Sequence, residues 1–135
     1  MSSEFKDIFS LIFIFSNNLS KVLLEEKDKK LDGIIFKNND KIDVVEISKK
    51  INNDINIKIE PNHFRLVLKL QNINKLWLFN IYMSVSEIEN IKSEKYKVID
   101  VENIPNNCHP TLKWLLPLSI DITVYRSGFN QILMK

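Results

Sequence analysis

Glycine and cysteine are scarce in this sequence, and each scarcity excludes a class of site. Only two glycines, Gly33 and Gly128, occur in 135 residues, so a glycine-rich loop that cradles phosphates is not expected. The one cysteine, Cys108, cannot form an internal disulfide, which fits a reducing cytoplasm. One cysteine and two histidines, His63 and His109, also do not supply the usual set of zinc ligands.

Long apolar runs and a strong charge of either sign are missing as well. The longest apolar run, residues 11–15, is too short to cross a bilayer. Glu4 and Asp7 precede it, where a signal peptide carries positive charge, so no export signal is predicted. The 19 basic and 17 acidic residues leave a formal net charge of +2, which gives no electrostatic case for nucleic-acid binding. We expect a cytoplasmic protein with neither a membrane nor a nucleic-acid partner.

The residues that are present describe one globular domain over 1–135. Hydrophobic residues make up 44% and charged residues 27% of the chain, which is ordinary for such a domain. A continuous apolar run at 9–15 and a second strand at 21–25 predict a hairpin around Asn17 and Asn18. Further strands are predicted at 33–36, 54–59, 64–70, 76–82 and 96–101.

Three segments have helical spacing. Val44, Ile47 and Ile51 predict one buried stripe on a helix over about 43–52, with Asp40 or Asp43 as its cap. A short helix is predicted at 84–91 and a longer one at 111–120, which Pro117 should kink or shorten. The charged residues 27–30 are interpreted as a solvated loop. This order of elements predicts an α+β fold, a mixed sheet layered with helices.

Several segments together resemble the Nudix hydrolase family. Leu31 to Ile57 resembles the Nudix box, Gly-x5-Glu-x7-Arg-Glu-U-x-Glu-Glu-x-Gly-U with U apolar. Lys21-Val-Leu-Leu, Leu31-Asp-Gly-Ile and Leu112-Lys-Trp-Leu-Leu-Pro-Leu are similar to flanking segments of phage and bacterial members. The likeness covers about residues 7–121 and leaves 122–135 as a C-terminal extension. It implies an α/β/α sandwich and a phage or low-GC bacterial origin.

The box itself departs from the family pattern. The family's clustered glutamates hold divalent cations that activate water against a diphosphate. Here the resemblance places Ile35-Phe36 at the paired glycines, Ile42 at the first glutamate, Lys49-Lys50 at Arg-Glu and Asn53-Asp54 at Glu-Glu. A Mg²⁺ site needs several anionic oxygens converging from one side. We therefore predict a degenerate box, no metal cofactor and no hydrolysis.

Two other catalytic arrangements are conceivable from the residue types, and each also has a plain structural interpretation. Asp43, Glu46 and Asp54 are the carboxylates left for an active, rearranged site, although Glu46 also suits a solvent-side ion pair with Lys50. A Cys108–His109 dyad lacks an orienting acid, and neighbouring side chains rarely face each other. These two residues are therefore predicted to form the entry turn of the last helix.

Lysines and aromatic rings are the candidates for ligand binding. Lysine can hold phosphate without a metal, and an aromatic face can stack on a base. The same residue types also fit a solvated surface and a plain core, as does the second tryptophan, Trp114. The predicted ligand-binding residues are Phe36, Lys37, Lys49, Lys50, Arg65 and Trp77.

Three functions are compatible with these residues. The leading prediction is binding without turnover, either of a nucleotide-derived ligand or of a protein partner, which in a phage would be a host defence factor. The alternative is an active divergent hydrolase of nucleoside diphosphate-linked substrates. The third is a structural subunit that forms an oligomer such as a homodimer. Fold alone does not decide among them.

Overall fold

The computed structural model describes residues 7–38, 44–72, 74, 76–125 and 130–134. These residues form one mixed sheet with a helix on either face. The elements are β1 (Asp7–Phe15), β2 (Lys21–Lys27), β3 (Lys30–Asp32), β4 (Ile34–Asn38), α1 (Val44–Ile55), a 3-10 turn (Pro61–His63), β5 (Arg65–Asn72), β6 (Trp77–Val85), β7 (Tyr96–Asp100), α2 (Leu112–Tyr125) and β8 (Asn130–Met134).

Strands β1 and β6 lie side by side and parallel in the middle of the sheet. The strand order is β3-β2-β1-β6-β5-β8, while β4 pairs with β1 and β7 pairs with β2. The β5–β8 pair is also parallel, and the remaining pairs are antiparallel. The sheet is therefore mixed, as the sequence predicted.

Gly33 is the point at which the chain changes pairing partner. On one side Leu31 pairs with Glu26 of β2, and on the other Ile34 pairs with Ile12 of β1. A Cβ atom at Gly33 would overlap the side chain of Leu11, so a larger residue here would force the Leu11 side chain to move. Because the β1–β2 register covers only residues 14–15 of β1, β2 and β4 lie apart beside Gly33.

The core divides into two layers because alternate residues of each strand point to opposite faces. On one face Ile12 and Ile14 pack with residues of α1. On the other face Leu11, Phe13 and Phe15 pack with residues of α2. The buried helical residues that cover the two faces are Ile47, Ile51 and Ile55 of α1 and Leu112, Leu115, Leu116 and Ile122 of α2. This layering is that of the predicted α/β/α sandwich.

Helix α1 is longer than predicted because Ile55 continues the stripe of Ile47 and Ile51. The strand predicted at 54–59 is therefore wrong, and Asn56 ends the helix in the left-handed conformation, with a φ of 61°. Beyond it, Ile59 donates its N–H to the Asn52 side chain, 2.9 Å away. The predicted caps Asp40 and Asp43 lie outside the described residues.

One further expectation was wrong. The segment 84–91 is not a helix, since Ser84 and Val85 belong to β6 and the residues after them form no regular element. Of the two effects predicted for Pro117, a kink or a shortening, the shortening does not occur, because α2 continues to Tyr125. Strand β3 was not predicted. Within the described part of the chain, no helix is both long and apolar enough to cross a membrane.

Candidate functional site

A groove opens beside Gly33, where β2 and β4 lie apart. We call it the β3 groove, and its volume is about 970 Å³. The turn that leads into α2 forms its far wall. The lining residues are Phe9, Glu25, Lys27, Asp28, Lys29, Lys30, Leu31, Asp32, Gly33, Ile35, Lys37, Asn106, Asn107, Cys108, His109 and Pro110.

Backbone hydrogen bonds fix the two walls of the β3 groove against each other. Leu31 donates its N–H to the Asn107 carbonyl at 2.9 Å, and His109 donates its N–H to the Leu31 carbonyl at 2.8 Å. Leu31 and Cys108 thus form an isolated parallel bridge. The Asn107 side-chain amide also donates to the Lys29 carbonyl at 3.1 Å. The groove is therefore held in shape by the fold itself.

Asp32 lines the β3 groove, and its pKa is raised above the ordinary value. Burial raises the pKa of Asp32, while the Gly33 N–H, 2.7 Å from Oδ1, and nearby His109 partly lower it. Glu25 adds a smaller raising effect through like charge. The ionised form of Asp32 is thus disfavoured by its surroundings, which is a frequent property of functional groups.

His109 is held in one tautomer by the start of α2. The Thr111 N–H donates to Nδ1 of His109 at 3.2 Å. Neutral His109 therefore carries its proton on Nε2, which leaves that N–H as a donor on an exposed residue.

Cys108 and His109 form the predicted entry turn to α2, and their side chains are not arranged as a catalytic dyad. Cys108 is buried and His109 is exposed. Burial, followed by the charge of Asp32, raises the pKa of the Cys108 thiol, whereas Lys113 lowers it slightly. The thiol is therefore kept protonated rather than activated.

Positive charge lies along the rim of the β3 groove. Lys27, Lys29, Lys30 and Lys37 all line it, and all four are exposed. Lys37 also forms a 3.0 Å ion pair with Asp7 across the β1–β4 edge. Lys37 is thus the predicted ligand-binding residue that directly borders this groove, whereas the residues 27–30, interpreted as a solvated loop, are part of its rim.

A row of contacting aromatic rings connects Trp77, another predicted ligand-binding residue, to the β3 groove. Phe9, which lines the groove, stacks on Phe79 with ring centroids 4.7 Å apart. Trp77 packs edge to face against Phe79, with ring centroids 5.1 Å apart. Trp77 is therefore two rings away from the groove, on the α2 face of the sheet.

The other predicted ligand residues lie elsewhere. Phe36 packs on the α1 face, and the Lys50 ammonium lies 5.5 Å from its ring centroid, within cation–π range. Lys49 is exposed on α1, and Arg65 is exposed at the start of β5, paired with Met83. The structure thus divides the predicted set between two faces of the sheet.

Two of the three carboxylates of the alternative hydrolase, Glu46 and Asp54, lie near opposite ends of α1. Asp54, at the end of α1, lies 3.7 Å from the Lys95 ammonium, and the Tyr96 hydroxyl donates to the same carboxyl oxygen at 3.3 Å. Lys95 also pairs with Glu25 of β2 at 3.3 Å. Glu46 is exposed near the start of α1, and Asp43 lies outside the described residues.

No group of three or more acidic, histidine or cysteine side chains suited to a metal ion occurs among the residues that the structure describes. Lys95 instead supplies one positive charge between Glu25 and Asp54. We call these three residues with Tyr96 the Lys95 cluster. It joins α1 to β2 and β7 by contacts that the sequence did not predict.

The comparison with solved structures identifies the fold. A Nudix hydrolase from Nitrosomonas europaea superposes with a TM-score of 0.67 at 12% identity, over 99% of this chain and 82% of the other. A Nudix-family hydrolase from Clostridium perfringens gives 0.59 at 12% identity, over 91% and 99%. The C-terminal domain of mouse MUTYH, solved in complex with human PCNA, gives 0.69 at 7% identity, over 87% and 89%.

No family model matches this sequence, and no curated protein matches it in sequence. At identities of 12% and below, the structural likeness is one of fold. The chain therefore has a Nudix-like fold, the expectation that its motifs raised, and its activity has to be argued from its own residues.

Proposed function

We propose that this chain is a Nudix-fold binding protein that holds a nucleotide-derived anion in the β3 groove and does not hydrolyse it. One observation carries the proposal: the rim lysines, the Phe9 ring and the half-buried Asp32 line a single preshaped groove. Lysines suit a phosphate, and an aromatic ring suits a base. A cavity with a few polar groups is the usual form of a small-ligand site.

The second part of the proposal, that the ligand is not hydrolysed, is based on residues of α1 on the opposite face of the molecule. Helix α1 carries Lys49 and Lys50 where the resemblance places an Arg-Glu pair, and Asp54 is held by Lys95. Divalent-metal hydrolysis needs several hard anionic oxygens around one point. Ammonium groups in that region favour binding of an anion over its metal-assisted cleavage.

Hydrolysis assays test the second half of the proposal. Nucleoside triphosphates, ADP-ribose and dinucleoside polyphosphates incubated with Mg²⁺ or Mn²⁺ should give no product above the rate without protein. Turnover that disappears in Glu46→Gln would instead support the divergent hydrolase that uses Asp43, Glu46 and Asp54.

Calorimetry tests the first half of the proposal, the binding of a nucleotide-derived anion. The diphosphates of guanosine, adenosine, cytidine and uridine are titrated into the protein in EDTA, at low and at high salt. We expect at least one to bind without metal and to bind more weakly at high salt, because exposed lysines are screened. Failure of all four to bind would overturn the nucleotide proposal.

A protein partner is the second candidate, and the surface of α2 favours it. Trp114 is 42% exposed, and tryptophan is a residue type that frequently anchors protein interfaces. Nearby, Pro117 and Ile120 line a second cavity of about 860 Å³ against the β1–β2 turn. The mouse MUTYH domain, solved with PCNA, is a domain of this fold in a protein complex.

For this chain the proposed partner is either a host protein, if the chain comes from a phage, or a second copy of the chain in a homodimer. Trp114→Ala should weaken such a complex, with Lys49→Ala, exposed on α1 and outside this surface, as the control. Light scattering distinguishes a homodimer from a monomer. A cytoplasmic location stays a prediction.

A further inference from the structure

We infer that Asp32 makes the β3 groove selective for guanine, so that the bound anion is a guanosine nucleotide. The inference rests on the proposed function, because it names the base of the ligand proposed for that groove. It concerns the hydrogen-bonding pattern of one carboxyl group and its surroundings.

The carboxyl of Asp32 has acceptor capacity left over. Oδ1 accepts the Gly33 N–H at 2.7 Å, and an ionised carboxyl offers about four acceptor positions in all. Asp32 lines the groove and has no ion pair with any residue in the described part of the chain. Its remaining acceptor positions are therefore suited to donors on a ligand.

Guanine is the common base that presents two adjacent donors, N1–H and the N2 amino group, on one edge. A carboxylate can accept both at once, as it accepts two parallel N–H groups from arginine. Adenine presents an acceptor beside its amino group, as does cytosine, and uracil presents one N–H between two carbonyls. Only guanine matches a carboxylate at two neighbouring positions.

The neighbours of Asp32 complete the match. His109 carries its proton on Nε2, since Nδ1 accepts the Thr111 N–H. It therefore offers a donor of the kind that guanine O6 accepts. Phe9 places an aromatic ring at the same groove, and Lys27, Lys29 and Lys30 supply charge for the phosphates.

A purely structural role does not account for a carboxylate at this position. Burial raises the pKa of Asp32, so its ionised form is destabilised by the folded protein. An asparagine could accept the same Gly33 N–H without carrying a charge. An ionisable residue that lines a cavity, and whose ionised form is destabilised by the surrounding protein, is typical of a binding site.

The test compares three diphosphates by calorimetry in EDTA. Guanosine diphosphate should bind about tenfold or more tightly than adenosine diphosphate, since one good two-bond pairing discriminates bases by that order. Inosine diphosphate, which keeps N1–H and lacks the N2 amino group, should lie between them. Equal affinities, or a preference for adenosine diphosphate, would overturn the inference and leave the proposed function standing. Failure of every diphosphate to bind would overturn both.

Two variants separate base recognition from charge. Asp32→Asn and Asp28→Asn each remove one negative charge from the same groove. Asp28 lies in the exposed β2–β3 turn at a φ of 53°, a conformation that asparagine tolerates. We expect Asp32→Asn to abolish the guanine preference with an unchanged or higher melting temperature, and Asp28→Asn to keep it. A preference that survives Asp32→Asn, or is lost equally in both variants, would contradict the inference.

Discussion

The outer face of α1 and the β3 groove are both rich in charge, yet their charges are used differently. On α1, Lys50 lies over the Phe36 ring, and Asp54 is paired with Lys95. In the β3 groove, Asp32 has no ion pair within the described chain and carries a raised pKa. The first region uses these charges for internal contacts, whereas Asp32 lines a cavity. Glu25 and Lys37 of the same groove are ion-paired, so Asp32 is the residue on which the comparison rests.

This difference indicates where a ligand belongs. Internal pairs such as those of the Lys95 cluster stabilise the packing of α1 and compete with any ligand for the same groups. A cavity whose walls are fixed by backbone hydrogen bonds can receive a ligand with little rearrangement. Substitutions in α1 should therefore change stability, and substitutions in the β3 groove should change binding.

The largest effect is expected in the core under α1. Ile51 is 1% exposed, and Ile51→Ala should lower the free energy of unfolding by about 2–5 kcal/mol, because a cavity replaces a buried side chain. Denaturant unfolding measures this change. Lys49→Ala, on the exposed side of the same helix, should stay within about 0.5 kcal/mol of the parent. Equal stabilities of the two variants would show that α1 does not pack as described.

A charge reversal on each region should affect binding differently. Lys30→Glu in the rim of the groove should weaken guanosine diphosphate binding by about tenfold at low salt, since the reversal turns an attraction into a repulsion. Lys50→Glu on α1 should change it less than about twofold. Calorimetry in EDTA measures both. The sequence alone predicted the opposite order, with Lys50 in the site and Lys30 outside it, so a larger effect of Lys50→Glu would restore that earlier site.

The fold could be predicted because its signals are local. Alternation along 64–70 and the apolar run at 9–15 predicted strands that the structure contains. The stripe of Ile47 and Ile51 predicted α1. Strand β3 was missed because three residues with charged ends show no alternation that stands out from a loop.

The candidate site could be predicted only in part, because it is assembled from distant segments. Lys37 was predicted from its place in the box, and it does border the groove. Asp32 and His109 are brought close together by the bridge between Leu31 and Cys108, and no spacing along the sequence predicts such a contact. The Lys95 cluster was missed for the same reason, since it joins β2, α1 and the start of β7.

The Lys95 cluster should contribute a smaller amount to stability. Lys95→Met should lower the free energy of unfolding at pH 7 by about 0.2–1 kcal/mol, the range for exposed ion pairs. A hydrogen bond to Glu25, with further help from Tyr96, raises the pKa of Lys95. The stabilisation is therefore complete below the unfolded-state pKa of about 10.4 and is lost as pH rises through the raised folded-state value. Unfolding curves at pH 7 and pH 11 should show a smaller difference between parent and variant at pH 11 than at pH 7. A difference that persists undiminished at pH 11 would mean that the ammonium charge does not cause it.

The smallest expected stability change belongs to Asp32→Asn. Because the pKa of Asp32 is raised in the folded protein, its contribution to stability is complete below the unfolded-state pKa of about 3.9 and is lost as pH rises through the folded-state value. At pH 7 the uncharged variant should therefore be as stable as the parent or slightly more stable, and this gain should shrink toward pH 3. Thermal unfolding across that range measures it. A clear loss of stability at pH 7 would assign Asp32 a structural role.

The most direct measurement is an amide ¹H–¹⁵N spectrum of the labelled protein, titrated with guanosine diphosphate in EDTA. Binding in the β3 groove should shift the amide signals of Leu31, Gly33, Asn107 and His109, whose backbones form its walls. The signals of Lys49, Lys50 and Asn53 on the outer face of α1 should stay in place. Shifts confined to α1, or shifts that arise only after Mg²⁺ is added, would contradict metal-free binding in the β3 groove.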